Sequence, residues 1–72
     1  MLQVIVHPWA EVTIDGTLVG TTPLDRISLS AGTHNVRLRH PGYEPVEREV
    51  VIQPGQTERL RLNLSTEGVR KR

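Results

Sequence analysis

Alternation of apolar and polar residues, interrupted at short intervals by Gly and Pro, is the dominant pattern of this chain. In the longest pieces the apolar residues stand at every second position, as Val36 and Leu38 do, and as Leu60, Leu62 and Leu64 do. A repeat of two is typical of strands with one buried face, whereas a helix repeats about every 3.6 residues. We therefore expect an all-β chain with essentially no helix.

Turn-forming residues divide the alternating pattern into short segments. The predicted strands are 2–7, 10–14, 17–20, 27–29, 34–40, 46–52 and 58–64. Six or seven short strands separated by turns predict a small antiparallel β-sandwich. Residues 1–64 form the predicted domain, and residues 65–72, which show no pattern, are predicted to be a C-terminal tail or linker.

Particular turns follow from the residues at the breaks. Asp15-Gly16 predicts a two-residue hairpin, because both positions tolerate a positive φ. Pro41-Gly42 and Pro54-Gly55 both fit type II turns, in which Pro sets the first φ and Gly takes the positive second φ. Residues 20–23 predict an edge or corner, with the Thr22 hydroxyl bonded to nearby backbone. Turn chemistry accounts for these residue types, and a ligand-binding loop is the alternative.

The length and composition exclude several classes of function. A chain of 72 residues forms one small domain, with too little interior for a sizeable cofactor, and we predict none. The absence of Cys removes thiol nucleophiles, Cys-based zinc sites and iron–sulfur ligation, and leaves the redox compartment open. No apolar run is long enough for a membrane-spanning helix or a signal peptide, so this segment is not expected to insert into a membrane.

Charge is unevenly distributed along the chain. The formal net charge is +1, but Arg70, Lys71 and Arg72 supply three of the positive charges, so residues 1–69 carry −2. A nucleic-acid-binding domain would need a broad basic surface, so no nucleic-acid partner is predicted.

Histidine and glutamate spacing gives no catalytic or metal site. His7, His34 and His40 lack the spacing of zinc ligands, and the last two share the apolar positions of their strand, where satisfied ring nitrogens are expected. Glu47 and Glu49 would lie on one strand face, roughly 6.6–7 Å apart between Cα atoms. Neighbouring arginines would keep both ionised, so we predict that the chain is not an enzyme.

Arginine and glutamate alternate on the polar face of the last three predicted strands. These strands carry, in order, Arg37 and Arg39, Glu47 and Glu49, and Arg59 and Arg61. Folding 34–40 against 46–52 about the Pro41-Gly42 turn would bring Arg37 and Arg39 opposite Glu47 and Glu49, in either of two adjacent registers. If 58–64 pairs with the other side of 46–52, the outer face reads Arg, Glu, Arg. Such a face is a salt-bridge ladder, at about 0.2–1 kcal/mol for each cross-strand pair. The alternative is a guanidinium-rich surface that binds carboxylate, sulfate or phosphate.

Two aromatic residues, Trp9 and Tyr43, are the remaining candidate contact residues. Trp9 follows Pro8 and falls outside the alternation of the next strand. An exposed Trp would stack against a sugar or anchor a partner. We favour packing over an open end of the sandwich, because the chain has no Phe to fill it. Tyr43, after the Pro41-Gly42 turn, is expected to pack at a corner.

Residues 8–24, PWAEVTIDGTLVGTTPL, resemble the PEGA domain pattern P-x-A-x-V-x-x-D-G-x-x-x-G-x-T-P. The matching positions are Pro8, Ala10, Val12, Asp15, Gly16, Gly20, Thr22 and Pro23. The likeness continues through residues 29–34 and Gly42-Tyr43, and it covers residues 4–64. The ordered set of matches is more specific than any one of them.

The resemblance implies a non-enzymatic β-sandwich accessory module of bacterial and archaeal multidomain proteins. Such modules occur in cell-surface proteins and beside serine/threonine kinases, and the Pro-Trp-Ala form is similar to the kinase-attached branch. The expected function is protein–protein contact or ligand sensing, with another protein or another domain of the parent chain as partner. The alternative is binding of carbohydrate or a cell-envelope polymer through Trp9 and the arginine face.

Overall fold

The computed structural model describes residues 1–70, so Lys71 and Arg72 of the predicted basic end lie outside the described residues. Its elements are β1 (Leu2–His7), β2 (Glu11–Ile14), β3 (Thr17–Thr21), β4 (Gly32–His40), β5 (Tyr43–Ile52), β6 (Glu58–Asn63) and α1 (Leu64–Glu67). The prediction of an all-β fold with essentially no helix is confirmed. No helix in the described part of the chain has the length and apolar composition to cross a membrane.

The strands form two sheets. Four of them make an antiparallel sheet in the order β3-β2-β4-β5, and the other two make a parallel pair, β1-β6. A parallel pair needs a long connection between its strands, and here the entire antiparallel sheet supplies it. The first and last strands of the domain therefore lie side by side, and Glu58 N donates to Met1 O at 2.8 Å.

The core consists of the apolar positions of the alternating pattern. It contains Leu2, Val4 and Val6 of β1, Val12 and Ile14 of β2, Val36 and Leu38 of β4, Val50 and Ile52 of β5, and Leu62 of β6. Burying a Val, Leu or Ile side chain contributes about 1.5–3 kcal/mol, so these positions fix which face of each strand turns inward.

Two of the three predicted turn types are confirmed. Asp15 and Gly16 have φ of 50° and 83°, as a two-residue hairpin between β2 and β3 requires. Gly55 has φ of 73°, and Gln56 N donates to Gln53 O at 3.2 Å, as in the predicted type II turn.

The type II prediction for Pro41-Gly42 is wrong. These residues do connect β4 to β5, but the φ of Gly42 is not positive. Gly42 N instead donates to His40 Nδ1 at 2.9 Å, so a side chain stabilises the turn in another backbone conformation.

Segment 27–29 does not form the predicted strand. Only Ile27 pairs, in an isolated antiparallel bridge to Leu2 with two hydrogen bonds of 2.8 Å. β1 begins at Leu2, so Ser28 and Leu29 have no strand residue beside them. Toward the N-terminal side of Ile27, the same antiparallel register would place Pro23 beside Val6. Pro23 has no N–H to donate, so the pairing with β1 cannot continue regularly there.

The end of the domain turns into a helix rather than continuing as a strand. Leu64 was expected to end the last strand, but it begins α1 and remains buried. Asn63 caps this helix, because its Oδ1 accepts from Ser65 N at 3.0 Å while Glu67 Oε2 accepts from Asn63 N at 2.9 Å. Val69 O then accepts from Glu44 N at 2.7 Å, on β5. The domain boundary at residue 64 stays a prediction.

Candidate functional site

The turn motif closes both ends of the β2–β3 hairpin. Thr22 is buried, and its Oγ1 accepts from Ala10 N at 2.9 Å while Thr22 N donates to Ala10 O at 2.9 Å. The peptide bonds before Pro8 and Pro23 are both cis. A Cβ on Gly20, which has φ of 153°, would lie 3.0 Å from Leu24 Cδ2. These contacts support the structural explanation of the motif.

Asp15 and His34 link the hairpin tip to β4 and to the segment before it. Asp15 Oδ1 accepts from Asn35 N at 2.9 Å, and Asp15 Oδ2 lies 2.5 Å from His34 Nδ1. His34 Nε2 lies 2.7 Å from Ser30 O. Both ring nitrogens of His34 therefore face acceptors, which only the imidazolium satisfies completely. The expectation that this histidine is satisfied is confirmed.

Hydrogen bonding shifts the pKa of both groups toward the ion pair. The bond to Asp15 and then the Ser30 carbonyl raise the pKa of His34. The backbone N–H of Asn35 and then the His34 ring lower the pKa of Asp15. The pair therefore holds the β2–β3 turn most firmly when both groups are charged.

The arginine face of β4 is only partly matched by glutamates. Arg37 Nη1 lies 3.7 Å from Glu47 Oε1, and both side chains are about half exposed. Glu49 faces Asn35 instead of an arginine, and Arg39 faces Glu11 of β2. The predicted Arg37 pair is confirmed, whereas a second pair between Arg39 and either glutamate is wrong. The cause is register: Arg37 pairs with Glu47 and Leu38 with Val46, so the glutamates fall opposite Arg37 and Asn35 and neither falls opposite Arg39.

Arg59 and Arg61 do not flank the glutamates. The conditional pairing of β6 with β5 is wrong, because β6 pairs with β1, where Gln3 faces Arg59 and Ile5 faces Arg61. Residues 53–57 carry the chain from one sheet to the other instead of turning back within one sheet. No carboxylate of residues 1–70 lies within 4.0 Å of either guanidinium.

Trp9 and Tyr43 form a row through the ring of His40, which was not among the predicted contact residues. The Trp9 and His40 ring centroids are 4.3 Å apart, and those of His40 and Tyr43 are 5.2 Å apart with edge-to-face geometry. Tyr43 is buried and Trp9 is half-buried. The sequence feature that could have indicated this position is that His40 falls at an apolar position of its strand, directly before the Pro41-Gly42 turn. The row supports packing as the role of both candidates.

Comparison with protein families returns a match to the PEGA domain over residues 7–67, most of the chain. This chain is a PEGA domain. Comparison with curated proteins and with solved structures found no match. PEGA domains are small accessory domains, not a catalytic family, so the chain is assigned as an accessory module.

Among the described residues, no three His, Asp or Glu side chains lie close enough to hold a metal ion. Glu47, which with Glu49 is the pair of carboxylates on one strand face, is paired with Arg37. The depression beside His40, of about 220 Å³, lies at the β4–β5 turn and is lined by one acid and one base, Glu11 and Arg39.

Proposed function

We propose that this PEGA domain makes protein–protein contacts, either with another domain of its parent chain or with a separate protein. The parent that we infer is a bacterial multidomain protein of the kinase-linked kind, on the resemblance of the Pro-Trp-Ala form. The observation that carries the proposal is the uncovered edge strand β3.

β3 lacks the charged and proline residues that commonly protect an edge strand from pairing with other chains. Leu18 is 63% exposed and Val19 is 39% exposed. A β-bulge at Val19 is the one edge-protecting feature of β3, and it takes this residue out of the regular ladder with β2. Exposed apolar side chains at an open sheet edge are a recurrent way of recognising an extended protein segment.

The hairpin that carries β3 is held rigidly at both ends. Asp15 and His34 fix its tip, and the paired hydrogen bonds between Ala10 and Thr22 fix its base. A contact surface that is already ordered loses less conformational entropy on binding, which favours a defined partner.

Carbohydrate binding is the less supported alternative. It requires a free indole face on Trp9, and the ring of His40 lies against that side chain. It also relied on a continuous arginine face, and the four arginines are divided between two sheets.

Site-specific photo-cross-linking tests the proposal. A cross-linker replacing Leu18 in the full parent protein, in its own cells, should give a protein adduct that mass spectrometry can map. Arg37, which is exposed on the central strand β4 and therefore away from a sheet edge, is the control position. Equal adduct yields at the two positions would refute contact through β3. Binding of the domain on a glycan array, lost on Trp9→Ala, would support the alternative.

A further inference from the structure

The outer edge of β6 is open. In a parallel pair, every second residue turns both its N–H and its C=O toward the partner strand. Because Glu58 N donates to Met1 O, Glu58, Leu60 and Leu62 face β1. The backbone groups of Arg59 and Arg61 therefore point away from β1, and neither residue has a backbone hydrogen bond to any of residues 1–70.

The same two residues place positive charge beside this edge. Arg59 and Arg61 are exposed on the outer face of the β1-β6 pair, without a carboxylate of the described residues within 4.0 Å. They differ in this from Arg37, whose guanidinium is paired with Glu47. A new carboxylate would have to displace the existing partner of a paired arginine, which costs free energy. An unpaired arginine can bind a carboxylate in bidentate fashion without that cost.

Apolar surface accompanies the charge on both faces. Ile5, beside Arg61, is 40% exposed and lines a depression of about 260 Å³ together with His7 and Asn63. On the inner face Leu60, between the two arginines, is only partly buried. Glu67, the acid that lines this depression, is engaged by Asn63 N.

We propose that the edge of β6 binds an extended acidic segment of a partner protein as an added strand. Residues at alternate positions of a strand are roughly 6.6–7 Å apart, so two acidic residues spaced by one would face Arg59 and Arg61. The residue between them would turn inward and cover Leu60, so it is apolar. The recognised pattern is therefore acidic–apolar–acidic in an extended segment.

A protein partner fits these features better than a general polyanion. Nucleic acids and sulfated polymers need a broad basic surface, and residues 1–69 carry a net charge of −2. Strand addition also uses the backbone groups of β6, which a polyanion without peptide groups would leave unpaired. This contact uses a different edge from β3 and does not depend on the function proposed above.

Peptide titration followed by NMR tests the inference on the 72-residue chain. The probe is an acetylated peptide of alternating Glu and Val, and its control has the same composition with Glu and Val in separate blocks. The alternating peptide should slow hydrogen exchange of the Arg59 and Arg61 amides at least tenfold and shift their resonances. Arg59→Gln combined with Arg61→Gln should weaken binding at least tenfold, while the matched variant Arg37→Gln should bind as the wild type does.

Four results would overturn the inference. The first is equal binding of the alternating and block peptides, which would make the contact purely electrostatic. The second is an equal loss of binding in Arg37→Gln. The third is the absence of slowed exchange at Arg59 and Arg61 at saturating or millimolar-range peptide. Inorganic polyphosphate is the probe for a general polyanion, and tighter binding of it would also overturn the proposal.

Discussion

Removing the Thr22 hydroxyl while keeping the side-chain shape tests the structural explanation of the turn motif. Thr22 is only 6% exposed, and its Oγ1 accepts the hydrogen bond from the N–H of Ala10, which is fully buried. Val has the same branched shape as Thr. Thr22→Val therefore preserves the packing but leaves the Ala10 N–H without its partner in a site closed to water.

The size of the effect follows from that unpaired donor. Leaving a buried N–H unsatisfied costs about 1–3 kcal/mol, and we take about 2 kcal/mol. For a domain of this length, about 1 kcal/mol lowers Tm by about 4–8 °C, so Thr22→Val should lower it by about 8–16 °C. Thr22→Ser keeps the hydroxyl and loses one methyl group, at about 0.8 kcal/mol or about 3–6 °C. The expected order of decreasing stability is therefore wild type, Thr22→Ser and Thr22→Val, although Val is the most apolar of the three side chains.

Thermal unfolding followed by circular dichroism gives this order directly. Urea titration of the same three proteins provides a second measurement, and an unchanged m-value shows that the comparison concerns stability alone. If Thr22→Val unfolds at or above the temperature of Thr22→Ser, the hydroxyl does not have the role assigned to it, and the motif needs another explanation.

Two further predictions concern the hairpin and its edge. The His34 ion pair should stabilise the fold fully below pH 6.5, the unshifted pKa of histidine, and this contribution should be lost as the pH rises through the raised pKa of His34. At the acid end the Asp15 contribution is present above pH 3.8 and is lost as the pH falls through its lowered pKa. Urea midpoints measured across pH 6.5 should therefore fall toward alkaline pH in the wild type and change less in His34→Gln; an equal fall in both would contradict the assignment. Gly20→Ala should destabilise the domain by about 1–2 kcal/mol, because φ is 153° and the new Cβ would meet Leu24 at 3.0 Å. Gly42→Ala, without a positive φ and with the His40 ring 3.4 Å away, is its control, and equal urea midpoints for the two variants would be evidence against the strain at Gly20.

The strands themselves were predictable because burial follows the alternation of single residues. Val36 and Leu38, placed on the apolar face of their strand by sequence alone, are both fully buried. The β2–β3 hairpin was equally predictable, since few dipeptides other than Asp-Gly and Asn-Gly readily adopt the two consecutive positive φ values that Asp15 and Gly16 have here.

Features that depend on distant parts of the chain were not predictable. The five residues 53–57 are long enough either to return in the same sheet or to cross to the other, and in this fold they cross, so that β6 pairs with β1. The conformation of Gly42 depends on the His40 ring, whose position depends in turn on Trp9. The helix at Leu64 rests on one capping side chain, Asn63, in a segment that otherwise continues a strand pattern.

The passage of residues 53–57 from one sheet to the other decides which surface charges of the domain lie together. Had β6 joined β5, Arg59 and Arg61 would have lain beside Glu47 and Glu49, in the same sheet as Arg37. As folded, Arg37 retains its glutamate while Arg59 and Arg61 lie on the other sheet, beside an open edge and without a carboxylate in reach within the described chain. A net charge close to zero therefore conceals a local basic strip next to unpaired backbone groups. Charge and open edge coincide at β6, whereas β3 combines an open edge with apolar side chains, so the two edges are suited to chemically different strands. Together, the contact proposed for β3 and the strand addition proposed for β6 would let one accessory module hold two different segments at once, each selected by the side chains that alternate along it.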